Sequence, residues 1–498
     1  MLKKIFAISQ DPSNKVRKVM CKALLLLSKV LTKKQIEMKV VPEVLKLVED
    51  DSAEVLESSL PLFCEFMEFC SYQYKEEVVE IMKTTFFTQQ MNVLGQVKLK
   101  FFGRIIVSLR LCIDEEFRNL CVNWYEGFFQ CDELDTKVLM AQVFPALLYI
   151  VGSMTTQLMQ IFLKLENYEN WEVRKILAKS LGDICSLSNC IENELIKVAK
   201  GFIDDEKTVG IVLEQFFVIG KSLKQYGYFV EVLIGKLKVE NSGWRVKVLA
   251  LNELNSFVTT FDCGKFFDSL FSVVFELFFC GSYPVRINSA KLIAEIYYKS
   301  LQKHEEYSSR IIVTLGKSNS CHLRICFIQF CAHLCTLCSH KFFYQTFFNT
   351  LIDLSRDSVK MVVYCFAGYF TRFRLAVPFG DSESASKFRK VLDYYFVSDD
   401  NYLTEIFLNV EEKLDKQLAE HYNAAGEARE NLKIKLEKDL ITKEVPETKQ
   451  PLTKKSRKST LVPRGSSHNP VKRFSLVEID KTELNKVLQR VNRKKGVK

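Results

Sequence analysis

A run of cysteine and histidine side chains is the part of the sequence best suited to metal chemistry. It reads Cys331-x-His333-x-Cys335-x-x-Cys338-x-His340, and thiolates and imidazoles are ligands that zinc prefers. Cys331, Cys335 and Cys338 nevertheless fall on one stripe of a helix. A structural zinc site also takes paired ligands from two turns, and the second pair is missing. The spacing favours thiols packed in a helical core, so we predict no metal and no cofactor.

A phosphate-binding loop is the other chemical motif that the sequence suggests, at Gly220-Lys221-Ser222. The glycine that such a loop requires five residues earlier is Gln215, and the segment follows a helical pattern and not a strand. No nucleophile-elbow, metalloprotease or kinase motif is present, and six histidines in 498 residues offer little general-base chemistry. The sequence thus predicts a protein that is not an enzyme.

The cysteines and the apolar segments also bear on where the chain works. Sixteen cysteines fall mostly inside apolar helical stretches, and no signal-peptide pattern opens the chain. We therefore predict reduced core thiols and a cytoplasmic protein. The most apolar stretch, Phe266–Cys280, is interrupted by Asp268 and Glu276, so we predict no transmembrane helix and no membrane partner.

A repeat of about 38 residues organises the first four-fifths of the chain. Each copy has a short polar turn that often contains Asp, then an apolar residue that we call the anchor, then an apolar helix. Lys or Arg directly follows seven of the ten anchors. The anchors are Val16, Val55, Val97, Val138, Val173, Val209, Val246, Val285, Leu323 and Val359.

The length of this repeat fits two helices and two turns. Asp, Ser or Asn in the turn can cap the second helix, and the anchor begins a buried stripe. Because one hairpin cannot bury that stripe alone, neighbouring hairpins must stack. The pattern predicts an all-α fold, a right-handed α-solenoid of about ten HEAT-type helical hairpins over residues 1–395. Only Met1–Gln10 precede the first turn, so we expect either a degenerate first repeat or an array that lacks its beginning.

The turn motif resembles a known family. Val-Arg after an Asp-containing turn is typical of HEAT repeats, and a variant with Trp occurs at Trp171–Arg174 and Trp244–Lys247. The variant resembles the scaffold subunit of protein phosphatase 2A and the HEAT-type regulatory subunits of protein phosphatase 4. An array followed by a helix and a basic tail is also similar to the latter. The resemblance implies a non-catalytic regulatory or scaffold subunit that binds a Ser/Thr phosphatase catalytic subunit.

The same resemblance indicates where partners bind, because turn residues of this kind contact the other subunits in those scaffolds. Trp and Arg are also frequent at the energetic centres of interfaces. We therefore predict a protein-binding ridge made of Trp171, Arg174, Trp244, Arg245, Arg286 and Arg324. Each residue has a structural alternative, in which the arginine pairs with an Asp of the neighbouring turn and the tryptophan is buried.

The chain changes character after the array. Residues 399–441 carry apolar side chains at steps of mostly three and four, which predicts a long amphipathic helix with coiled-coil character. This helix either packs on the last repeat or serves a partner. Residues 442–498 hold 16 Lys/Arg against 5 Asp/Glu, a net charge of +11 in a chain of net charge +10. We predict that they form a disordered basic tail.

The tail holds the remaining candidate signals. The run Lys454–Arg457 is typical of nuclear import or of contact with nucleic acid, and would add the nucleus to the cytoplasm. Ser459 and Ser475 follow basic residues and are candidate phosphorylation sites. Two alternatives to the phosphatase interpretation remain. One is a HEAT transport or chromosome-associated adaptor whose tail contacts nucleic acid, and the other is a tubulin-binding array.

Overall fold

The computed structural model describes residues 6–28, 30–87, 93–188, 192–239, 242–377, 382–397, 400, 402, 403, 405–407 and 424–442. All regular secondary structure in these residues is helical, which confirms the predicted all-α class. The basic tail, with Lys454–Arg457, Ser459 and Ser475, lies outside the described residues. So does the middle of the predicted long helix.

The helices follow one another with short turns between them. In chain order they are α1 (Asn14–Ser28), α2 (Val41–Val48), α3 (Ala53–Phe69), α4 (Tyr72–Thr85), α5 (Val93–Leu109), α6 (Glu115–Gly127), α7 (Leu134–Val151), α8 (Thr156–Glu166), α9 (Trp171–Leu187), α10 (Glu192–Asp204), α11 (Val209–Leu213), α12 (Phe216–Ser222), α13 (Tyr226–Lys238), α14 (Trp244–Thr260), α15 (Phe267–Cys280), α16 (Tyr283–Lys299), α17 (His304–Ile311), α18 (Cys321–Leu337), α19 (His340–Thr346), α20 (Phe348–Asp353), α21 (Lys360–Leu375), α22 (Ser382–Phe396) and α23 (Ala424–Thr442).

The helices that begin at or within four residues of an anchor form one continuous layer. We call them the anchor helices: α1, α3, α5, α7, α9, the pair α11 and α12, α14, α16, α18 and α21. Each packs on the next from α1 to α21, and the helices between them complete the hairpins. Nine anchors lie in the core or against it, whereas Val16 on α1 is exposed. The stacked hairpins make the fold an α-solenoid, as the repeat predicts.

The polar turns start the anchor helices in the way that their composition predicts. Asp50 accepts a hydrogen bond from the backbone N–H of Ser52 (2.9 Å), and Asp357 does the same for Val359 (2.8 Å). The side chain of Asn170 accepts from the N–H of Glu172 (2.8 Å) at the start of α9. These side chains satisfy N–H groups that have no partner inside the helix, so the turn residues fix where each anchor helix begins.

One anchor helix is broken, and a polar side chain explains the break. Gln215 separates α11 from α12; its side-chain oxygen accepts from the N–H of Gly182 (3.0 Å) and its amide donates to the carbonyl of Ala178 (3.0 Å). A side chain on Gly182 would meet the Gln215 oxygen at 2.9 Å, so the glycine leaves room for this contact. The break ties the sixth anchor helix to the backbone of α9.

The helix α7 has the length and the apolar composition of a membrane span, which no other helix of the described ranges has. Half of its most apolar window is buried inside the protein, where it packs between α5 and α9. This environment is that of a core helix in the anchor layer.

The C-terminal segments pack back on the array. Phe407 lies against Phe370 of α21 (ring centroids 5.0 Å apart) and Tyr395 of α22 (4.8 Å), so the start of the predicted long helix covers the last hairpin. Helix α23 packs further back, against α19 and the 3₁₀ turn Leu301–Lys303. Phe407 therefore lies on the last repeat, as one of the two expectations for this region has it, whereas α23 contacts earlier hairpins.

Candidate protein-interaction surface

Two of the arginines predicted to bind partners are engaged inside the array. Arg324 on α18 donates two hydrogen bonds to Asp357 in the next turn (2.6 and 2.8 Å), and both side chains are almost fully buried. Arg174 on α9 forms an ion pair with Asp205 in the same way. Their guanidinium groups hold successive hairpins together, which is the structural alternative that the sequence leaves open.

The same pairing with an aspartate of the next turn occurs at two basic residues that were not predicted to bind partners. Arg17 donates to Asp50 (2.6 and 2.8 Å), and Lys360 lies 3.0 Å from Asp400. Burial favours the neutral form of Asp50, but hydrogen bonds from Arg17 and from the backbone of Ser52 outweigh it and lower the pKa of this carboxyl. Four of the seven basic residues that follow an anchor thus bind an aspartate of the next turn.

Arg286 and Arg245 have different surroundings. Arg286 follows the anchor Val285 and is half-buried, but the next turn, Ser318-Asn319-Ser320, contains no Asp. Arg245 lies over the ring of its neighbour Trp244, with 5.2 Å between its guanidinium carbon and the ring centroid. Neither forms an ion pair with any side chain in the described ranges. These two arginines are therefore available for other contacts.

The two predicted tryptophans are exposed. Trp171 and Trp244 are the first residues of α9 and α14, and 38% and 48% of their surfaces are accessible. Lys175 and Lys207 lie 4.7 and 5.7 Å from the Trp171 ring, an arrangement that attracts a cation to an aromatic face. The rings of Trp171 and Trp244 do not belong to one site, because α11 and α12 lie between α9 and α14.

A third exposed aromatic residue occupies the same position in its repeat, and it was not predicted from the sequence. Tyr283 is the first residue of α16 and is 56% exposed. Trp171, Trp244 and Tyr283 each stand two residues before an anchor, so an alignment of the anchors would have found the third. We call these three residues the aromatic row. Large aromatic side chains that remain exposed at one repeated position are typical of contact surfaces.

Two buried lysines also escaped prediction. Lys98 follows an anchor, but its ammonium donates to the carbonyl of Phe86 (3.0 Å) at the end of α4, and burial lowers its pKa to about 8. Lys137 donates to the carbonyls of Phe128 (3.1 Å) and Phe129 (2.9 Å) after α6, and burial lowers its pKa too. Both ammonium groups satisfy helix-end carbonyls inside a hairpin, which is a structural task and not a catalytic one.

The chemical motifs of the sequence lie in the core. The thiols of Cys331 and Cys335 on α18, and of Cys338 directly after it, are buried. Burial raises the pKa of each, that of Cys335 to about 12. Burial, with the nearby charge of Arg372, lowers the pKa of His333 to about 4. Thiols in this state are poor nucleophiles at neutral pH. Within the described ranges no three His, Cys, Asp or Glu side chains converge on a point where a metal ion could sit.

The glycine of the phosphate-loop-like motif also has a packing explanation. Gly220 is buried inside α12, and a side chain there would meet the ring of Phe257 at 2.7 Å. The absence of a side chain lets α12 and α14 approach each other closely. Gly220 therefore serves the contact between two anchor helices.

Comparisons with known proteins agree with this architecture. The family model of the HEAT repeat matches residues 158–188, which is the hairpin of α8 and α9 and contains Trp171 and Arg174. No curated protein matches the sequence. These findings define a chain with a HEAT repeat inside a longer helical array.

Solved structures with similar folds include importin beta, Kap95 and Kap121p. Importin beta has a TM-score of 0.52 at 11% identity over 87% of this chain and 61% of that one. Kap95 in complex with Nup1 has a TM-score of 0.50 at 12% identity over 82% and 56%. A Kap121p mutant has a TM-score of 0.50 at 13% identity over 80% and 43%. The chain spans less than two thirds of each of these proteins, and identities this low establish the shared solenoid fold alone.

Proposed function

We propose that the chain is a non-catalytic HEAT-repeat scaffold that binds other proteins and serves as an adaptor in macromolecular transport. The observation that carries the proposal is the aromatic row, Trp171, Trp244 and Tyr283. Its members remain exposed at one repeated position of an array in which nine anchors are packed and four of the basic residues after them are ion-paired. Side chains that the array does not use for stability are the ones that a partner can use.

The transport assignment is supported by the fold. Importin beta and Kap95 are solenoids of the same kind, and Kap95 was solved with Nup1 bound to it. The structures described above fit the transport interpretation better than the phosphatase-scaffold interpretation. We place the protein in the cytoplasm, with the run Lys454–Arg457 as the element that would give it access to the nucleus.

Affinity purification of the tagged full-length chain, followed by quantitative mass spectrometry, tests this proposal. The test variant replaces the aromatic row (Trp171→Ala, Trp244→Ala, Tyr283→Ala). The control is Tyr394→Ala on α22, which removes an aromatic side chain of similar exposure that is not at the start of an anchor helix. We expect transport cargoes or nuclear-pore proteins with the wild-type chain and the control, and a loss of about tenfold or more with the test variant.

Two outcomes would overturn the proposal. A Ser/Thr phosphatase catalytic subunit or tubulin as the specific partner would replace transport with one of the alternatives. Equal recovery of partners by the wild-type chain and the triple variant would remove the aromatic row from the interface. Because all three side chains are exposed, we expect the variants to keep the helical content and the thermal midpoint of the wild type, which circular dichroism checks.

A further inference from the structure

A groove of about 720 Å³ runs along one face of α5, between α3 and α7. Helix α5 lines it with residues at positions 100, 103, 104, 107 and 108, the spacing of a single helical face, and Arg110 and Leu111 in the turn after α5 complete this side of the lining. Gly103 and Ala146 form part of the boundary between α5 and α7, and a side chain on Gly103 would meet Ala146 at 3.3 Å. Because both residues are small, the two helices approach closely and leave the groove open above them.

The charges that line this groove are mostly positive. Lys75, Lys100, Arg104 and Arg110 face Glu68, the one carboxylate in the lining. Lys100 is already bound to Glu57 (2.9 Å) on α3. Arg104 and Arg110 are exposed, and within the described ranges neither forms an ion pair or a side-chain hydrogen bond. They differ in this from the arginines that bind aspartates between hairpins.

Two exposed apolar side chains accompany these arginines: Val107 lies between Arg104 and Arg110 in the chain, and Leu111 follows Arg110. Val107 and Leu111 are 49% and 71% exposed, and both line the groove. From Lys100 to Val107 the helix advances by about 10 Å, a length that a peptide of a few residues can span. The groove therefore presents unpaired positive charge and uncovered apolar surface side by side.

We propose that this groove binds an acidic peptide segment of a partner protein. Its carboxylates would bind Arg104 and Arg110, because guanidinium groups form paired hydrogen bonds with carboxylates. Its apolar side chains would cover Val107 and Leu111. The inference rests on the proposed function, since it assumes an array that binds proteins, and it names the chemistry of one partner segment. The net charge of +11 in residues 442–498 disfavours the chain's own tail as the occupant.

Peptide enrichment on the immobilised full-length chain tests the inference. The probe is a mixture of three pools of 12-residue peptides. Every peptide has two leucines at random positions, and six of its other residues are Glu in the first pool, Gln in the second and Lys in the third. We expect the Glu pool to be enriched over the Gln pool by about tenfold, and the Lys pool to be depleted. The double substitution Arg104→Glu, Arg110→Glu should abolish the preference, whereas Arg389→Glu, an equally exposed arginine on α22, should retain it.

A second variant separates the apolar contact from the charges. Val107→Ser with Leu111→Ser keeps both arginines, and we expect it to lose the preference for leucine-containing over alanine-containing Glu peptides. The inference fails if the wild-type chain does not prefer the Glu pool, or if the Arg104 and Arg110 variant behaves like the Arg389 variant. The substitutions in the aromatic row lie outside the groove. If the triple variant contradicts the proposed function, the peptide preference of the groove should still be unchanged.

Discussion

The aspartates of the turns act on two hairpins at once. Asp357 accepts the N–H of Val359 (2.8 Å), which starts α21, and also accepts both hydrogen bonds from Arg324 of α18. Asp50 has the same pair of partners, Ser52 and Arg17. One carboxylate thus couples the start of an anchor helix to the helix stacked before it. Of the three bonds described for each carboxylate, an isolated hairpin would lack the two from arginine.

Substitution of Arg324 should therefore destabilise the array. In Arg324→Met the carboxylate of Asp357 stays buried without its cation, which costs about 3–5 kcal/mol in comparable buried pairs. The matched control is Arg286→Met, at the same position of the preceding hairpin, where the next turn has no Asp; we expect a loss of about 1 kcal/mol or less there. Urea unfolding followed by circular dichroism measures both. Equal losses would show that the ion pair does not stabilise the stacking.

The carboxylate of Asp400, the last in this series of turn aspartates, makes the stability of the fold depend on pH. Hydrogen bonds from the hydroxyl of Tyr364 (2.7 Å) and the ammonium of Lys360 (3.0 Å) lower the pKa of Asp400 to about 2. An aspartate in an unfolded chain has a pKa of about 3.9. Since the folded pKa is the lower one, the stabilisation is complete above the unfolded pKa and is lost as the pH falls through about 2.

The variant Asp400→Asn lacks this contribution at every pH. We expect its urea midpoint to lie below that of the wild type at pH 7, and the gap to close as the pH falls from about 4 toward 2. Asp393→Asn removes an exposed carboxylate of α22 and controls for the general effect of net charge. A gap that stays constant down to pH 2 would contradict the assignment.

At the scale of helices, the anchor layer could be predicted from the sequence because its determinants are local. Each anchor helix needs a capping turn and an apolar stripe, and both lie within one repeat. The break between α11 and α12 could not be predicted in the same way. It depends on Gln215 reaching the backbone at Ala178 and Gly182, more than thirty residues earlier in the chain. For the surface, the sequence singled out Trp171, Trp244 and Arg174. It could not decide whether the tryptophans were exposed or whether Arg174 faced a partner or Asp205.

The docking of α23 differs most from what the sequence pattern suggests. The stripe of Leu432 and Leu436 is exposed, and the polar residues of the opposite face contact the array. Glu437 is buried and accepts from the N–H and the hydroxyl of Ser339, and Lys433 donates to the carbonyl of Cys338 (3.1 Å). The carbonyls at the end of α18 and the N–H groups at the start of α19 have no partner inside their own helices. Helix α23 supplies the complementary charges. Contacts across almost one hundred residues leave no local pattern.

Loss of one of these charges should release α23. In Glu437→Ala the N–H and the hydroxyl of Ser339 lose a buried charged acceptor, and bonds of this kind contribute about 1.5–3 kcal/mol. We expect amide hydrogen exchange across 424–442 to accelerate by about tenfold or more, measured by mass spectrometry. Glu427→Ala, an exposed glutamate on the same helix, should leave the exchange unchanged. Equal acceleration in both variants would show that helix propensity, and not docking, protects α23.

At the scale of the whole chain, charge divides the molecule into a near-neutral part and a strongly basic part. Residues 442–498 carry a net charge of +11, so the residues before them have a net charge of −1. A near-neutral array attracts polyanions weakly, whereas a basic segment attracts them by releasing counterions. Any binding of nucleic acid by this chain should therefore come from the tail and be steeply dependent on salt.

Neutralisation of the run at Lys454 tests this division. The variant replaces Lys454, Lys455, Arg457 and Lys458 with Gln, and the control replaces four exposed lysines of the array, Lys22, Lys179, Lys200 and Lys238. Each phosphate contact contributes a slope of about −0.9 to a plot of log affinity against log salt concentration, so the tail variant should flatten the slope for duplex DNA by as much as about 4. We expect the control to bind as the wild type does, because its lysines lie outside the tail. A slope flattened equally by the control would place the nucleic-acid contact on the array, and the charge of the tail would then need a partner of another class.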